Sequence, residues 1–213
     1  MKSIFLKEVN EYIECKKSIV KLTFLDNNRY RSFAFNINSN IEISENNTPI
    51  DVDKYTHIIY NPFKITLNER KLLNMLYKNM QSNLDDNDKV LITTIEENIF
   101  TLMDELSFKG NFEIIYDETI DINKLFSVMG LSYKEPDIAN YLNYIVNYFT
   151  VYSALLNIKC FISLGLLALL SEEEQILLEK ELFNLDVLLI DVDFMKETNA
   201  IKTLKIDSDW CLI

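Results

Sequence analysis

Alternation and periodicity of apolar positions divide the chain into segments before any residue chemistry is considered. Residues 18 to 37 alternate around Asp26-Asn27-Asn28, with Ile19-Val20-Lys21-Leu22-Thr23-Phe24 before that turn and Tyr30-Arg31-Ser32-Phe33-Ala34-Phe35 after it. This pattern predicts a β-hairpin. The polar stretch Asn36 to Asn47 reads as an exposed loop, and His57-Ile58-Ile59-Tyr60 as a short buried strand closed by Pro62. Thr66-Leu67-Asn68-Glu69 has capping-box spacing, so a helix is expected from Leu67 to about Leu84, ended by the turn Asp85-Asp86-Asn87-Asp88.

A second helix is expected from Lys89 to Ser107. Leu91, Ile95, Ile99, Leu102 and Leu106 form one stripe on it, while Ile92, Phe100 and Met103 lie off that stripe. A helix that is apolar on two sides needs two neighbours, the second being either another subunit or a wrapping segment of the same chain. Phe112 to Tyr116 alternates as an edge-like strand after Gly110, and Asp121 is placed to cap a short helix ended by Gly130. Pro136 opens a long helix to about Asn157, with Ile138, Leu142, Ile145, Phe149, Tyr152 and Leu156 on one face. Then come a buried strand Lys159-Cys160-Phe161-Ile162-Ser163, a capped helix start Ser171-Glu172-Glu173-Glu174, and a second buried strand Val187-Leu188-Leu189-Ile190-Asp191. Thr203 to Ile206 and Trp210 to Ile213 suggest a last strand pair.

Sheet-forming segments thus sit at both ends and long helices fill the middle. The expected fold is α/β, with an ATPase-like head made from residues 1–60 and 158–213 and an inserted long-helix leg over 61–157. Asp191 and Asp193 fall where a magnesium-holding carboxylate sits in an ATPase. With only Gly110, Gly130 and Gly165 in the chain, however, no glycine-rich phosphate loop exists. The head therefore lacks a phosphate-binding loop, and solvation at a strand end accounts for the two aspartates.

At 213 residues and 48% hydrophobic, the chain is long enough for one elaborated domain or two small ones sharing a core. Cys15, Cys160 and Cys211 are widely spaced and form no C-x-x-C, which supports neither a disulfide framework nor a zinc knuckle and fits a reducing cytoplasm. Charge interrupts the first residues before a signal-peptide core forms, and the apolar run Phe161 to Leu170 is about half of the roughly 20 residues that span a bilayer. A soluble protein is expected. The net charge of −12 is uneven: residues 1–80 hold 12 Lys/Arg against 9 Asp/Glu, and residues 81–213 hold 9 against 24. A basic surface is compatible with that asymmetry, as is a simply solvated acidic face.

His57 is the only histidine, so Ser-His-Asp and Cys-His catalysis would each depend on it, and its place at the start of an apolar run favours a structural role. The tightest acidic cluster is Glu113, Asp117, Glu118 and Asp121. Hard cations such as calcium take several carboxylate and carbonyl oxygens, which a turn of this kind supplies. Ordinary solvation of acidic turn residues is the alternative. Asp117 and Glu118 with Lys124 also have the composition of a metal-dependent nuclease site, though the spacing is generic. For DNA phosphates, the candidate cations are Lys64, Arg70, Lys71, Lys78, Lys109 and Lys124, of which Lys71 and Lys78 lie seven apart and share a helix face. A third class, an acidic interaction module that mimics DNA, fits the net charge.

From about Tyr60 onward the order of elements resembles the small DNA-end-binding accessory protein of type II-A CRISPR systems, which acts in acquisition of new spacers. The resemblance is carried by Asn61-Pro62-Phe63-Lys64-Ile65-Thr66-Leu67-Asn68, by Phe112 to Gly130 with Tyr116-Asp117-Glu118 at its centre, by the strand, capped helix and strand from Ile158 to Asp191, and by Asp207 to Ile213. It covers about two-thirds of the chain. It implies an α/β head related to ATPase folds but without ATP hydrolysis, a helical leg, and a homotetrameric ring. Duplex DNA ends would thread the ring without sequence preference, calcium would support it, and the CRISPR integrase and RNA-guided nuclease would be its partners. Asp117 and Glu118 match the family's acidic pair and Glu113 falls near an earlier acidic position, whereas Asn123 or Lys124 stands where the family tends to have an acid. Residues 1 to about 55 depart from the family pattern.

Overall fold

A computed structural model describes residues 2–46, 48–110, 115–117, 119–134, 140–195 and 200–213. In chain order the first elements are β1 (Lys2–Leu6), β2 (Glu11–Cys15), β3 (Ile19–Phe24), α1 (Asn27–Phe35), α2 (Ile37–Asn40), β4 (Ile41–Glu45), β5 (Thr48–Ile50), α3 (Val52–Tyr55) and β6 (Thr56–Ile59). They are followed by α4 (Arg70–Ser82), α5 (Asp86–Gly110), α6 (Ile122–Val128), α7 (Tyr141–Leu156), β7 (Cys160–Leu164), α8 (Glu172–Asn184), β8 (Leu188–Phe194) and β9 (Thr203–Ile206). These elements form two compact units, Met1–Leu67 with Glu135–Ile213, and Asn68–Lys134.

The first unit holds both sheets. One is a five-stranded sheet in the order β6-β7-β8-β3-β9, parallel at every pairing, and the other is a four-stranded antiparallel sheet in the order β2-β1-β4-β5. Alternation decides what each face of the parallel sheet meets. Val20, Leu22 and Phe24 of β3, Cys160 and Ile162 of β7, and Leu188, Ile190 and Val192 of β8 join Ile4, Leu6, Ile41 and Ile43 of the antiparallel sheet and Phe33 and Ile37 of the first two helices in one buried cluster. On β7, the opposite face presents Phe161, which packs edge-on against Phe149 of α7 at 4.5 Å.

The β-α-β unit expected at residues 159–191 is present, and Ser171 and Glu174 form a reciprocal capping box at the start of α8. The hairpin expected over 18–37 is not. β3 is a central parallel strand, and the turn at Asp26 starts a helix instead of a return strand. Asp26 Oδ1 accepts from the backbone N–H groups of Asn28 and Arg29, both at 3.0 Å, satisfying donors that only a helix leaves open. Asp26→Ala is expected to lower stability by about 1 kcal/mol, read as a shift in the urea midpoint. The polar stretch expected as a loop contains α2 and β4, because Ile41 and Ile43 alternate into the core while Glu42 faces out.

His57 has the structural role expected of it. Its Nε2 lies 2.8 Å from the Tyr148 hydroxyl and its ring packs against Tyr152 at 4.3 Å, tilted by 40°. That contact draws α7 to the parallel sheet, so residues 141–156, read from the sequence as part of the leg, belong with the first unit. Cys15 and Cys160 are buried thiols, the former pushed up to about 12 chiefly by burial, and Cys211 is exposed. Among the described residues, no helix is long and apolar enough to cross a membrane.

In the second unit, α4 starts at Arg70 rather than Leu67, and Glu69 precedes the helix as its flanking residue without a side-chain cap bond. The expected Thr66–Glu69 capping box therefore does not set the start. Asn68 instead clasps the backbone of Tyr133, donating to its carbonyl at 3.1 Å and accepting its N–H at 2.8 Å. The Tyr77 hydroxyl donates to the Leu131 carbonyl at 2.8 Å, tying α4 to the stretch after α6. Asp121 caps α6 as expected, and Gly130 follows that helix at φ 68°, where its lack of a Cβ removes the usual strain. Of the strand expected at 112–116, residues 111–114 lie outside the described set, and Ile115 and Tyr116 are not in a strand.

Candidate nucleic-acid interface

α4 carries Arg70, Lys71 and Lys78 and no acidic residue. Its apolar side is set by Leu72 and Tyr77, both buried, which leaves the cations on the solvent side. At 100° per residue, Arg70, Lys71, Asn74, Lys78 and Gln81 fall within about one third of the helix circumference, a polar face with positive charge only. Arg70, Lys71 and Lys78 are exposed and make no ion pair among the described residues. Gln81 is fixed by the Asn123 side chain, which donates to it at 2.8 Å.

The other three candidate cations are placed differently. Lys109, in the last turn of α5, pairs with Glu105 at 3.2 Å, and Lys124 on α6 lies 4.0 Å from Asp121. Both pairs are at the surface and weak, since exposed ion pairs contribute at most about 1 kcal/mol. Lys64 is exposed in the first unit, at the end of the 3-10 turn Pro62–Lys64.

Of the four acidic residues read as metal donors, Asp117 and Asp121 line one open depression of about 530 Å³ together with Thr119, Ile120 and Lys124. Glu113 and Glu118 lie outside the described residues. Asp121 already spends Oδ1 on the N–H groups of Asn123 and Lys124 as the α6 cap. Calcium takes six to eight oxygens, and among the described residues no group of three or more acidic, histidine or cysteine side chains gathers. The donors here are hard oxygens, so the fit is partial: two carboxylates that a full site would have to supplement. The segment itself is anchored on α5. Tyr116 stacks on Phe100 at 5.7 Å and 12°, its hydroxyl donates to Asp104, and the Ile120 N–H donates to Glu96 at 3.1 Å.

α5 has no buried side chain among its 25 residues. Ile92, Phe100 and Met103 are half-buried, while Leu91, Leu102 and Leu106 are more than half exposed and Ile95 and Ile99 exceed one third. The stripe separated by the sequence pattern is the side that lacks cover. An exposed apolar stripe of this length is a candidate interaction surface.

The carboxyl ends of the parallel strands, where doubly wound sheets bind nucleotides, are closed by the chain's own groups. Asp191, expected to be solvated, is wholly buried. It accepts from the Ser163 hydroxyl at 2.6 Å and from the N–H groups of Leu166 and Leu167 at 2.8 and 3.3 Å. Burial raises its carboxyl to about 6, against the lowering effects of Ser163, Lys21 and the Leu166 N–H. Strand register sets Ser163, Asp191 and Lys21 in one row across β7, β8 and β3. Lys21 is 2% exposed and its Nζ lies 3.8 Å from Asp193, a charge contact too long for a hydrogen bond, which leaves Asp193 Oδ2 without a donor among the described residues. The signal for this row was a single lysine and a single serine inside strongly apolar strands. The amides that would face a phosphate at the start of α1 and after β7 are bonded to Asp26 and Asp191.

These features define a mixed α/β protein built on a parallel sheet of nucleotide-enzyme style, with its phosphate positions filled internally and a helical unit inserted between sheet segments. The family described as CRISPR-associated protein (Cas_Csn2) matches residues 34–210, and the chain belongs to it, the type II-A CRISPR family its sequence resembles. Among solved structures, a Pyrococcus furiosus chain described as a putative ABC transporter ATP-binding protein is similar at 11% identity and a TM-score of 0.40, covering 92% of this chain and 86% of that one. No curated protein matches this chain.

Proposed function

We propose that the chain assembles into a ring-shaped homotetramer in the cytoplasm that binds the ends of double-stranded DNA without sequence preference and without cleaving them, in support of CRISPR spacer acquisition beside the integrase and the RNA-guided nuclease. Family membership over residues 34–210 carries this reading. The geometry supports it in three ways. The acid-free face of α4 offers positive charge in a shape suited to phosphates and without any base-reading device. The uncovered stripe of α5 supplies surface for subunits to meet. The closed carboxyl ends of the parallel strands offer no seat for a triphosphate, consistent with binding rather than hydrolysis. Calcium would be held by Asp117 and Asp121 together with Glu113 and Glu118, and would supply positive charge within an acidic half of the chain.

Gel shifts comparing linear with covalently closed circular duplex test this reading. Binding to linear duplex alone is expected, and it should leave the DNA intact in magnesium. Equal binding to both forms would sink the end-binding idea, and cleavage abolished by Asp117→Ala would replace it with a nuclease. Combined replacement of Arg70, Lys71 and Lys78 by glutamine should make log Kd less steep in log salt by about 0.9 for each phosphate no longer neutralised, at unchanged preference among sequences.

A further inference from the structure

We propose that Phe63 is a stacking platform for the terminal base pair of the DNA duplex, an inference that rests on the DNA-end reading above. The residue follows β6 in the short segment Tyr60–Lys64, and this segment is held unusually firmly for one so exposed. Pro62 is buried and opens a 3-10 turn, while Asn61 caps it by accepting the Phe63 N–H at 3.0 Å on its side chain and the Lys64 N–H at 3.0 Å on its carbonyl. Two hydroxyls from α7 grip the turn from below: Tyr141 donates to the Pro62 carbonyl at 2.7 Å and Tyr144 to the Ile65 carbonyl at 3.2 Å.

Despite this fastening, Phe63 is 79% exposed and Tyr60 60%. A loose loop exposes an apolar ring by fluctuation; here the backbone is fixed and the ring is aimed outward. Rigid elements with locked supports are what a binding contact requires. Lys64 is exposed beside it, and no acidic residue occurs from Tyr60 to Asn68, in a chain whose net charge is −12. Lys64 is thus the one charge in the segment, of the sign a phosphate attracts, with Glu69 the next charge along the chain.

An aromatic ring next to a lone cation suits one part of a duplex in particular. Along its length a duplex shows phosphates and groove edges, with every base face covered by the next. Only at a terminus is a base-pair face open. Stacking on that face is indifferent to sequence because every base has one, and it is denied to a closed circle. The competing occupant is a second copy of this chain, packing apolar surface onto the ring.

The decisive experiment places 2-aminopurine either at the terminal pair or at an internal pair of a blunt duplex. Fluorescence and affinity are then measured with the full chain carrying Phe63, Phe63→Trp, Phe63→Leu or Phe63→Ala, with mass followed by light scattering. The wild type and Phe63→Trp should alter the terminal probe and leave the internal one unchanged. Phe63→Leu and Phe63→Ala should lose that signal and bind linear duplex roughly ten-fold more weakly, at unchanged mass. Wild-type affinity in Phe63→Ala, full recovery by leucine, or a fall in mass would each overturn the proposal while leaving end binding intact. Failure of the wild type to bind linear duplex would remove both together.

Discussion

Asp191→Ala is expected to lower the unfolding free energy by about 3 kcal/mol at neutral pH, the scale of leaving several buried donors unsatisfied. The substitution strands two backbone amides and the Ser163 hydroxyl that Asp191 now accepts. It also removes a nearby negative charge from Lys21, which is 2% exposed and whose ion-pair partner is Asp193 at 3.8 Å. Asp191→Asn keeps the shape and removes the ionisation, which isolates a pH effect. The native carboxyl titrates at about 6, against an ordinary value of 3.8. Between those values the folded chain holds a proton that the unfolded chain has released, so the contribution is full below about pH 4 and is lost as pH rises through about 6. Relative to Asp191→Asn, the wild type should therefore gain on the order of 2–3 kcal/mol between pH 7 and pH 4. Urea midpoints of the two proteins across that window check it, and parallel pH profiles would refute the assignment.

The second large effect is on assembly. Ile95→Glu with Leu102→Glu places two charges in the exposed stripe of α5 while keeping good helix formers at both positions. If the stripe is a subunit interface, light scattering should show the wild-type oligomer and a monomeric variant. Its thermal midpoint as a monomer should be nearly unmoved, because no side chain of α5 is buried within the chain. Measuring the wild type with and without calcium separates the ion's part in assembly from that of the stripe. A wild type that stays monomeric at micromolar concentration in both conditions would end the ring proposal.

What the sequence discloses depends on how local the cause is. The β-α-β unit was legible because Ser171 and Glu174 cap a helix between two apolar runs too short for helices. The two-sided character of α5 was legible for the same reason, since periodicity alone separates Ile92 and Phe100 from Leu91 and Ile95. The failure at residues 18–37 has the opposite origin. Asp26-Asn27-Asn28 suits a hairpin turn and a helix cap equally well, and the choice was made by β8 and β9, which flank β3 on both sides and leave no edge for a returning strand. Ile41 and Ile43 sat in a polar stretch too sparse to announce a strand, and they became one because β1 offered the partner. At the candidate interface, the shared face of Lys71 and Lys78 was readable from their spacing. Burial of Asp191 was not, since it follows from the register of three strands far apart in sequence. Of the four expected metal donors, the structure draws Asp117 and Asp121 to one depression.

The central position of β3 carries a consequence for how the chain reaches this fold. Val20 pairs with Ile190 and Leu22 with Leu204, so an interior strand of the parallel sheet waits for segments made some 170–180 residues later. The inserted unit at 68–134 closes over much shorter loops. Long-range parallel pairing is slow to form, and unpaired strand edges exposed in the meantime are prone to stick to one another. During synthesis the helical unit has its own partners as soon as residue 134 has emerged. β3 does not: Ile4, Leu6, Phe33 and Ile37 are at hand for its apolar face, but both of its backbone edges stay unpaired until β8 and β9 arrive.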